Sequence, residues 1–503
     1  MAIGIDFGTT KSAIVCTDST KPIAISDGQG HRSIPSMVMV VPDERLYVGW
    51  EALNHPARYD SQTEHYTISS IKRLIGKSGK TKIGNFETSP QEVAALILGA
   101  LKAHAEIHLD MEISDVVIAV PAHFDINQRW ATLQAAELAG LKVSRLLNEA
   151  SAAVLAFSRS HNKREGVTLV FDFGGGTLDV SVVSFGENVY EVVATAGDDQ
   201  LGGDDFDQVV FDWVLRRMKA RLKSFPELSQ LQQLVLREAA TRAKVELSSA
   251  SSTRIYIPGF LQTRRKFWDV DLTLRRELFE ELSSGLFRRA RAVLGRLLKD
   301  CGTQPQPREA PTEVLLTGGA SRMPEIRRIV QAMTGIEPYA GLDSEVGVAE
   351  GASLMSAALE RTNELLLLDV ATNSYSVGLL GGVLMRLIER NRRIPAEARH
   401  AFTICGSGED LTIRIYQGEE KLASKNLLIG ELDFTGLPLN TEIEVVFKTD
   451  ANNTLAVSAN HEMTGRNITA QMQAPHRLTR EQMKSVQPWV DQVLRSYRGR
   501  LPS

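Results

Sequence analysis

Ile3-Gly4-Ile5-Asp6-Phe7-Gly8-Thr9-Thr10 has a counterpart far along the chain, Leu169-Val170-Phe171-Asp172-Phe173-Gly174-Gly175-Gly176-Thr177. Each is an apolar run that ends in Asp, an aromatic residue and a turn of small residues. Each turn leads into a second strand-like run, residues 12–16 and 178–184. A third follows each, near 22–25 and 189–194. Two β-meanders with the same opening predict a duplicated α/β domain, two related lobes and not a solenoid. The surroundings agree. Residues 91–107 have helical spacing after Ser89-Pro90, 115–121 read as a buried strand, and 127–140 as a helix ending at glycine. Residues 205–223 and 229–247 are again helical, and 314–317 form a short strand before Gly318-Gly319. Strands alternating with helices predict an α/β architecture.

The chain has 503 residues, enough for about three or four domains, or two large lobes and an appendage. Hydrophobic residues make up 43% and charged residues 23%, which excludes a disordered or fibrous protein over most of the length. Lys and Arg number 57 against 61 Asp and Glu, and a net charge of −4 gives no support for binding nucleic acid or an anionic membrane. Cys16, Cys301 and Cys405 are too scattered for a disulfide framework or a zinc site, so a reducing cytoplasm is expected. The start of the chain lacks a signal peptide pattern, and apolar runs fall well short of the ~20 residues a membrane helix needs.

Near residue 364 the pattern changes. Short strand-like runs follow at 384–388, 401–405, 411–416, 441–447, 454–459 and 467–472, separated by turns such as Gly406-Ser407-Gly408. This predicts an all-β module. Residues 478–498 return to helix, with Thr479 and Gln482 resembling a capping box and Pro488 expected to kink or divide it.

Gly76-Lys77-Ser78 resembles the end of a P-loop, but the glycine required five residues earlier is Ile71, so that motif is absent. The Asp-aromatic-Gly turns offer a different chemistry. Gly8, Thr9 and Thr10 can present consecutive N–H groups to phosphate oxygens, and Gly174, Gly175 and Gly176 can do so from the other lobe. Asp6 and Asp172 suit a hydrated Mg²⁺, and the Thr9 and Thr177 hydroxyls suit a terminal phosphate. One such turn alone would be read as an ordinary hairpin; two matched turns favour a nucleotide. A third turn, Gly318-Gly319-Ala320-Ser321-Arg322, could admit an adenosine with Arg322 stacked on the base. Lys72 could reach a γ-phosphate as a point charge, although a solvated surface lysine is the commoner case.

Three segments carry a resemblance: 5–10, 171–180 and Leu315-Leu316-Thr317-Gly318-Gly319-Ala320-Ser321-Arg322-Met323-Pro324. Together they resemble the three signatures of the heat shock protein 70 (DnaK) family. Val120-Pro121-Ala122-His123-Phe124 with Asn127-Gln128-Arg129, and residues 365–369 as an interdomain linker, add to it. The likeness covers about residues 2–475 and is nearest to short bacterial relatives of the HscC type.

The resemblance implies an actin/hexokinase-like, two-lobed ATPase (1–364), a linker (365–369), a β-sandwich substrate domain (370–475) and a shortened helical lid (476–503). It implies ATP or ADP with Mg²⁺, with K⁺ as a further candidate ion. Lys72, Asp6, Glu149, Asp172 and Thr177 match catalytic positions, and Asp6, Glu149 and Asp172 match groups that hold Mg²⁺ through water. Gly202, Gly203 and Asp204 match the loop beside the phosphates, and Lys244, Ser248 and Arg322 match adenosine contacts. Val377, Leu379, Leu380, Phe402, Leu411 and Ile413 match a peptide channel, although some could be plain sandwich core. Pro121, Arg129, Arg145, Leu366, Leu367, Leu368 and Asp369 match positions coupling the domains, Arg145 through J-domain partners. Extended peptides, a J-domain co-chaperone and a nucleotide-exchange factor are the implied partners.

Departures are Ala150 for the usual proline after Asn148-Glu149, Thr241 for an acidic adenosine contact, and Ala371-Thr372-Asn373 after the linker. The tail lacks a distal lid bundle, so fast peptide exchange or a narrow clientele is expected. Rival readings are a nucleotide-gated scaffold or exchange factor with little hydrolysis, a sugar or glycerol kinase, and an actin-like filament former. The kinase lacks a polar pocket for a small molecule, and nothing specifies a polymer contact.

Overall fold

The computed structural model describes residues 1–18, 21–27, 29–41, 45–60, 65–77, 79–83, 86–222, 225–262, 267–302, 310–360, 365–404, 410–435, 441–461, 465–471, 478 and 480–498. Cys405, the 406–408 turn, Ser78 and Thr479 lie outside them, as does the 364 boundary.

The duplicated opening becomes two sheets with the same local pattern. Ala2–Asp6 pairs in parallel with Asp115–Val120 and antiparallel with Lys11–Asp18. Glu165–Phe173 pairs in parallel with Glu313–Thr317 and antiparallel with Leu178–Gly186. Their strands are almost continuously buried, as expected for sheets covered on both faces. The helices Glu149–Ser160 and Gly347–Glu360 lie between the lobes and pack so tightly that a Cβ on Gly351 would stand 1.9 Å from the Ala152 carbonyl oxygen. Each lobe has its own apolar core.

Helix starts follow their caps. Ser89 and Glu92 form a capping box for Pro90–Leu109, and Ser229 and Gln232 form one for Gln230–Leu247. Asp125 caps Ile126–Leu138 in the same way.

The last part of the chain contains two four-stranded sheets, one with Leu384–Ile388, Tyr375–Gly378, Asp410–Gln417 and Leu427–Thr435, the other with Ala396–Ile404, Thr441–Thr449, Leu455–His461 and Arg466–Gln471. Alternate residues point inward, so Ile413, Ile415, Phe434, Val445, Phe447 and Val457 share one core.

This β-rich module is docked on the lobes. The segment Leu366–Val370 is a strand that pairs in parallel with Val189–Asp198, with Leu366, Leu367 and Leu368 opposite Val189, Tyr190 and Glu191. Arg393–Ile394 pairs with it from the other side. In the tail, the division offered as one outcome at Pro488 does not occur. Arg480–Arg498 runs through Pro488 as one helix, and it lies on the first lobe against Pro90–Leu109. Val490 and Val493 join the first-lobe core, and that burial offsets the hydrogen bond that proline cannot make. Among the described residues, no helix is long and apolar enough to cross a membrane.

Candidate functional site

The two glycine turns face each other across the cleft. A Cβ on Gly175 would lie 2.0 Å from Thr10 Oγ1, and one on Gly176 would lie 2.6 Å from Thr9 Oγ1. Only glycine lets these backbones approach so closely. Asp204 and Gly203 donate their N–H groups to the Gly175 and Gly174 carbonyls at 2.8 and 3.0 Å, which ties the 202–204 loop to the second turn. Gly318, at φ 79°, sits where a Cβ would meet Asp172 Oδ1 at 2.8 Å, so the third glycine turn closes on the same place.

Lys72 enters from the first lobe. Ser70 adopts a left-handed conformation and starts the short turn Ile71–Arg73. Its hydroxyl donates to Asp204 of the other lobe at 2.7 Å. The turn drives Lys72 inward, where it is 3% exposed and donates to Glu149 Oε1 at 2.6 Å. A solvated lysine is therefore excluded. Burial alone would lower the Lys72 pKa, but Glu149, Asp6 and Asp172 outweigh it and raise it. The carboxylates move the other way. Burial lifts Glu149 to about 7 against the pull of Lys72, with Asp6 and Asp179 adding to the rise. Burial also lifts Asp6, and it lifts Asp172 well above the usual range, where Glu149, Asp179 and Asp6 add repulsion. Thr9 and Thr177 are buried beside them.

This is an acidic pocket with one buried lysine and glycine-lined walls. It fits a magnesium polyphosphate: the cation would offset the crowded carboxylates, and the turns would donate backbone N–H groups to phosphate oxygens. Among the described residues, no three His, Cys, Asp or Glu side chains are close enough to hold a bare metal ion. An ion beside Asp6, Glu149 and Asp172 would therefore be held through water.

Of the adenosine candidates, Lys244 touches the 202–204 loop. Lys244 pairs with Asp207 at 2.8 Å and donates to the Gly203 carbonyl at 3.0 Å. Thr241 donates to Asp207 at 2.9 Å, so Asp207 supplies a carboxylate beside the position where sequence comparison finds threonine. Ser248 lies one helical turn beyond Lys244, and Arg322 is exposed, with its guanidinium 2.6 Å from the Ser344 hydroxyl. Gly319 is exposed and Ala320 buried.

The coupling candidates converge at the linker. Asn148 donates to both Asp369 oxygens at 2.6 Å and accepts from Arg129 at 3.0 Å. Arg129 also reaches the Asn452 carbonyl of the β-rich module at 3.3 Å, and Arg145 donates to the Leu367 carbonyl at 3.3 Å. Leu367 is buried while Leu366 is exposed, and Pro121 is buried at the end of its strand. Asn148 was singled out only as part of a motif; its bond to Asp369 spans 221 residues, and nothing local could have signalled it.

The channel candidates divide. Val377 and Ile413 belong to the core, Phe402 and Leu411 are half-buried against it, and Leu379 and Leu380 are 40% and 93% exposed. Val383 and Leu422, unremarked in the sequence, are exposed nearby and bridge to each other.

A family model described as Hsp70 protein matches residues 2–86 and 79–494.

Proposed function

The chain belongs to the Hsp70 family, and from that premise we propose that it is an ATP-dependent chaperone whose lobes (1–364) hydrolyse nucleotide while residues 370–475 hold extended apolar peptides. The observation that carries this reading is the buried Lys72–Glu149 pair at 2.6 Å, set with Asp6 and Asp172 behind two facing glycine turns. Lys72 places a positive charge where a γ-phosphate would lie, and Thr177 and Thr9 offer hydroxyl donors there. Gly174, Gly175 and Gly176 orient the phosphates through backbone N–H groups, opposite Gly8, Thr9 and Thr10. Gly202, Gly203 and Asp204 close that side; Lys244, Ser248 and the Gly318–Arg322 turn (Gly318, Gly319, Ala320, Arg322) bound the adenosine. Bound Mg²⁺ would neutralise phosphate charge. Catalysis here is positioning and electrostatics, so turnover without partners is expected to be slow.

Leu379 and Leu380 offer exposed apolar contacts to a peptide, above a floor of Val377, Phe402, Leu411 and Ile413. The docked linker strand supports nucleotide control of that module through Asp369, Arg129 and Arg145. The tail helix lies on the first lobe in this arrangement, so acting as a lid over a peptide would require its release. A J-domain protein, a nucleotide-exchange factor, a cytoplasmic setting and an HscC-type specialisation belong to the same proposal, with K⁺ as an accessory ion.

Single-turnover hydrolysis of Mg-ATP by wild type and Lys72→Ala tests it. A drop of about 100-fold is expected from losing a positioned charge. Equal rates would point instead to a nucleotide-gated scaffold.

A further inference from the structure

The first-lobe strand Asp115–Val120 ends in Pro121-Ala122-His123-Phe124-Asp125, and within this loop His123 grips the second lobe. Its Nδ1 lies 2.5 Å from Asp179 Oδ1, and its backbone N–H donates to the same oxygen at 3.3 Å. Asp179 is 1% exposed and stands opposite Asp172 on the neighbouring strand. Space for the ring exists because residue 197 is glycine: a Cβ there would sit 2.2 Å from Nδ1. His123 Nε2 and Asp179 Oδ2 are both buried without a hydrogen-bond partner, so each group leans on the other.

The same loop touches the pocket and the β-rich module. The Phe124 ring centroid is 5.8 Å from Lys72 Nζ. Arg129 donates to the Ala122 and Phe124 carbonyls at 2.9 and 3.3 Å and then reaches Asn452. The Ile126 N–H donates to Gln417 Oε1 at 3.1 Å.

A buried carboxylate with one side-chain partner is stable when that partner is charged. Burial alone would lower the His123 pKa, but Asp179, Asp199 and Glu149 outweigh it and raise it. The other charged groups around the loop are Lys77, which pairs with Asp199 at 3.2 Å, Asp125, which burial holds toward its neutral form, and Arg129.

We propose that His123 is a positioning residue for nucleotide hydrolysis: its imidazolium clasps Asp179 across the floor of the cleft, holds the two lobes in register, and lets go when it loses its proton. This rests on the nucleotide reading above.

The test uses the full chain. Ring-nitrogen NMR of the nucleotide-free protein, with the His123 signal assigned by its loss in His123→Gln, gives the ring's titration midpoint. Single-turnover hydrolysis of Mg-ATP is then followed from pH 6 to 9.5. Wild type should lose about 10-fold in rate on the alkaline side, the scale of a modest misplacement of reacting groups, with its midpoint at the ring's own. His123→Gln should lack that limb and run at the lower rate throughout. If the substituted chain does not fold, the ring signal is assigned by through-bond correlation to the His123 backbone; coincidence of the two wild-type midpoints then supports the clasp, and midpoints more than about one pH unit apart overturn it. A ring titrating in the ordinary histidine range, near 6.5, also overturns it. Superimposable profiles for the two proteins overturn the positioning role while leaving the nucleotide reading intact. Failure of wild type to bind Mg-ATP removes both.

Discussion

Replacing Glu149 by Gln should stabilise the nucleotide-free, Mg²⁺-free protein at neutral pH, although the residue stands at the heart of the pocket. Glu149 is 6% exposed, and burial lifts its pKa from 4.5 to about 7 despite Lys72 at 2.6 Å. The unfolded chain releases this proton near 4.5, whereas the folded chain keeps it until about 7. Between those values the unfolded state binds fewer protons, so stability falls as pH rises. The penalty is absent below about pH 4.5 and complete above about pH 7. At 1.36 kcal/mol per pH unit it reaches roughly 3 kcal/mol. Glutamine has no proton to release and keeps the shape of the side chain. Lys72 would lose its nearest partner, which returns part of the gain, while Asp6 and Asp172 still face it. At about 2–4 °C per kcal/mol for a lobe-sized unit, the variant should melt several degrees higher at pH 8 and match wild type near pH 5. Thermal unfolding in EDTA at both pH values measures this. Parallel pH dependences in the two proteins, or a lower melting temperature for Glu149→Gln at pH 8, would refute the reasoning.

Three further perturbations probe other parts of the structure. Gly175→Ala places a Cβ 2.0 Å from Thr10 Oγ1, so the turns must part; calorimetry with Mg-ADP should show affinity reduced about 10-fold or more, and unchanged affinity would mean that the facing turns do not grip phosphate. Asn148→Ala strips Asp369 of two hydrogen bonds at 2.6 Å and leaves a buried acceptor short of partners. About 1–3 kcal/mol toward undocking is expected, visible in small-angle scattering as a longer particle; an unchanged profile at every nucleotide state would reject this. Val490→Asp puts a charge into the first-lobe core and should free the tail helix for tryptic cleavage; equal cleavage rates would show that the packing there is not what holds it.

The lobes were legible because their signal is local and repeated. An apolar run, an aspartate and a glycine turn occur twice, and each copy became a strand and hairpin with the same pairing. Ser89-Pro90 likewise marks its helix start, which the structure caps with Ser89 and Glu92. The hairpin Ser252–Gln262 with Phe267–Arg275 is not legible although its burial alternates over several residues, because Pro258-Gly259 reads as a turn where the ladder in fact only shifts register. Lys72 itself is a candidate from the sequence, but its burial is not legible there, for another reason. Its burial depends on a single left-handed residue, Ser70, at φ 56°, and three-residue turns have no periodicity to detect. Pro488 misled in the opposite direction. Local chemistry predicts a break, but the apolar face around Val490 finds a core to join, and tertiary burial outweighs one missing hydrogen bond.

A short route between the pocket and the linker lies at one strand-to-helix junction. Asn148 ends a strand and Glu149 begins the next helix, so one faces the linker and the other faces Lys72. Adjacent Cα atoms are held 3.8 Å apart by a planar peptide. A backbone shift at Glu149 would turn that peptide, and the Asn148 side chain donates to both Asp369 oxygens and accepts from the Arg129 guanidinium. Hydrogen bonds weaken steeply with misalignment, so under the proposed nucleotide control a rotation there would weaken the hold on the linker. Two neighbouring residues at a strand-to-helix junction thus stand between the pocket and the linker strand.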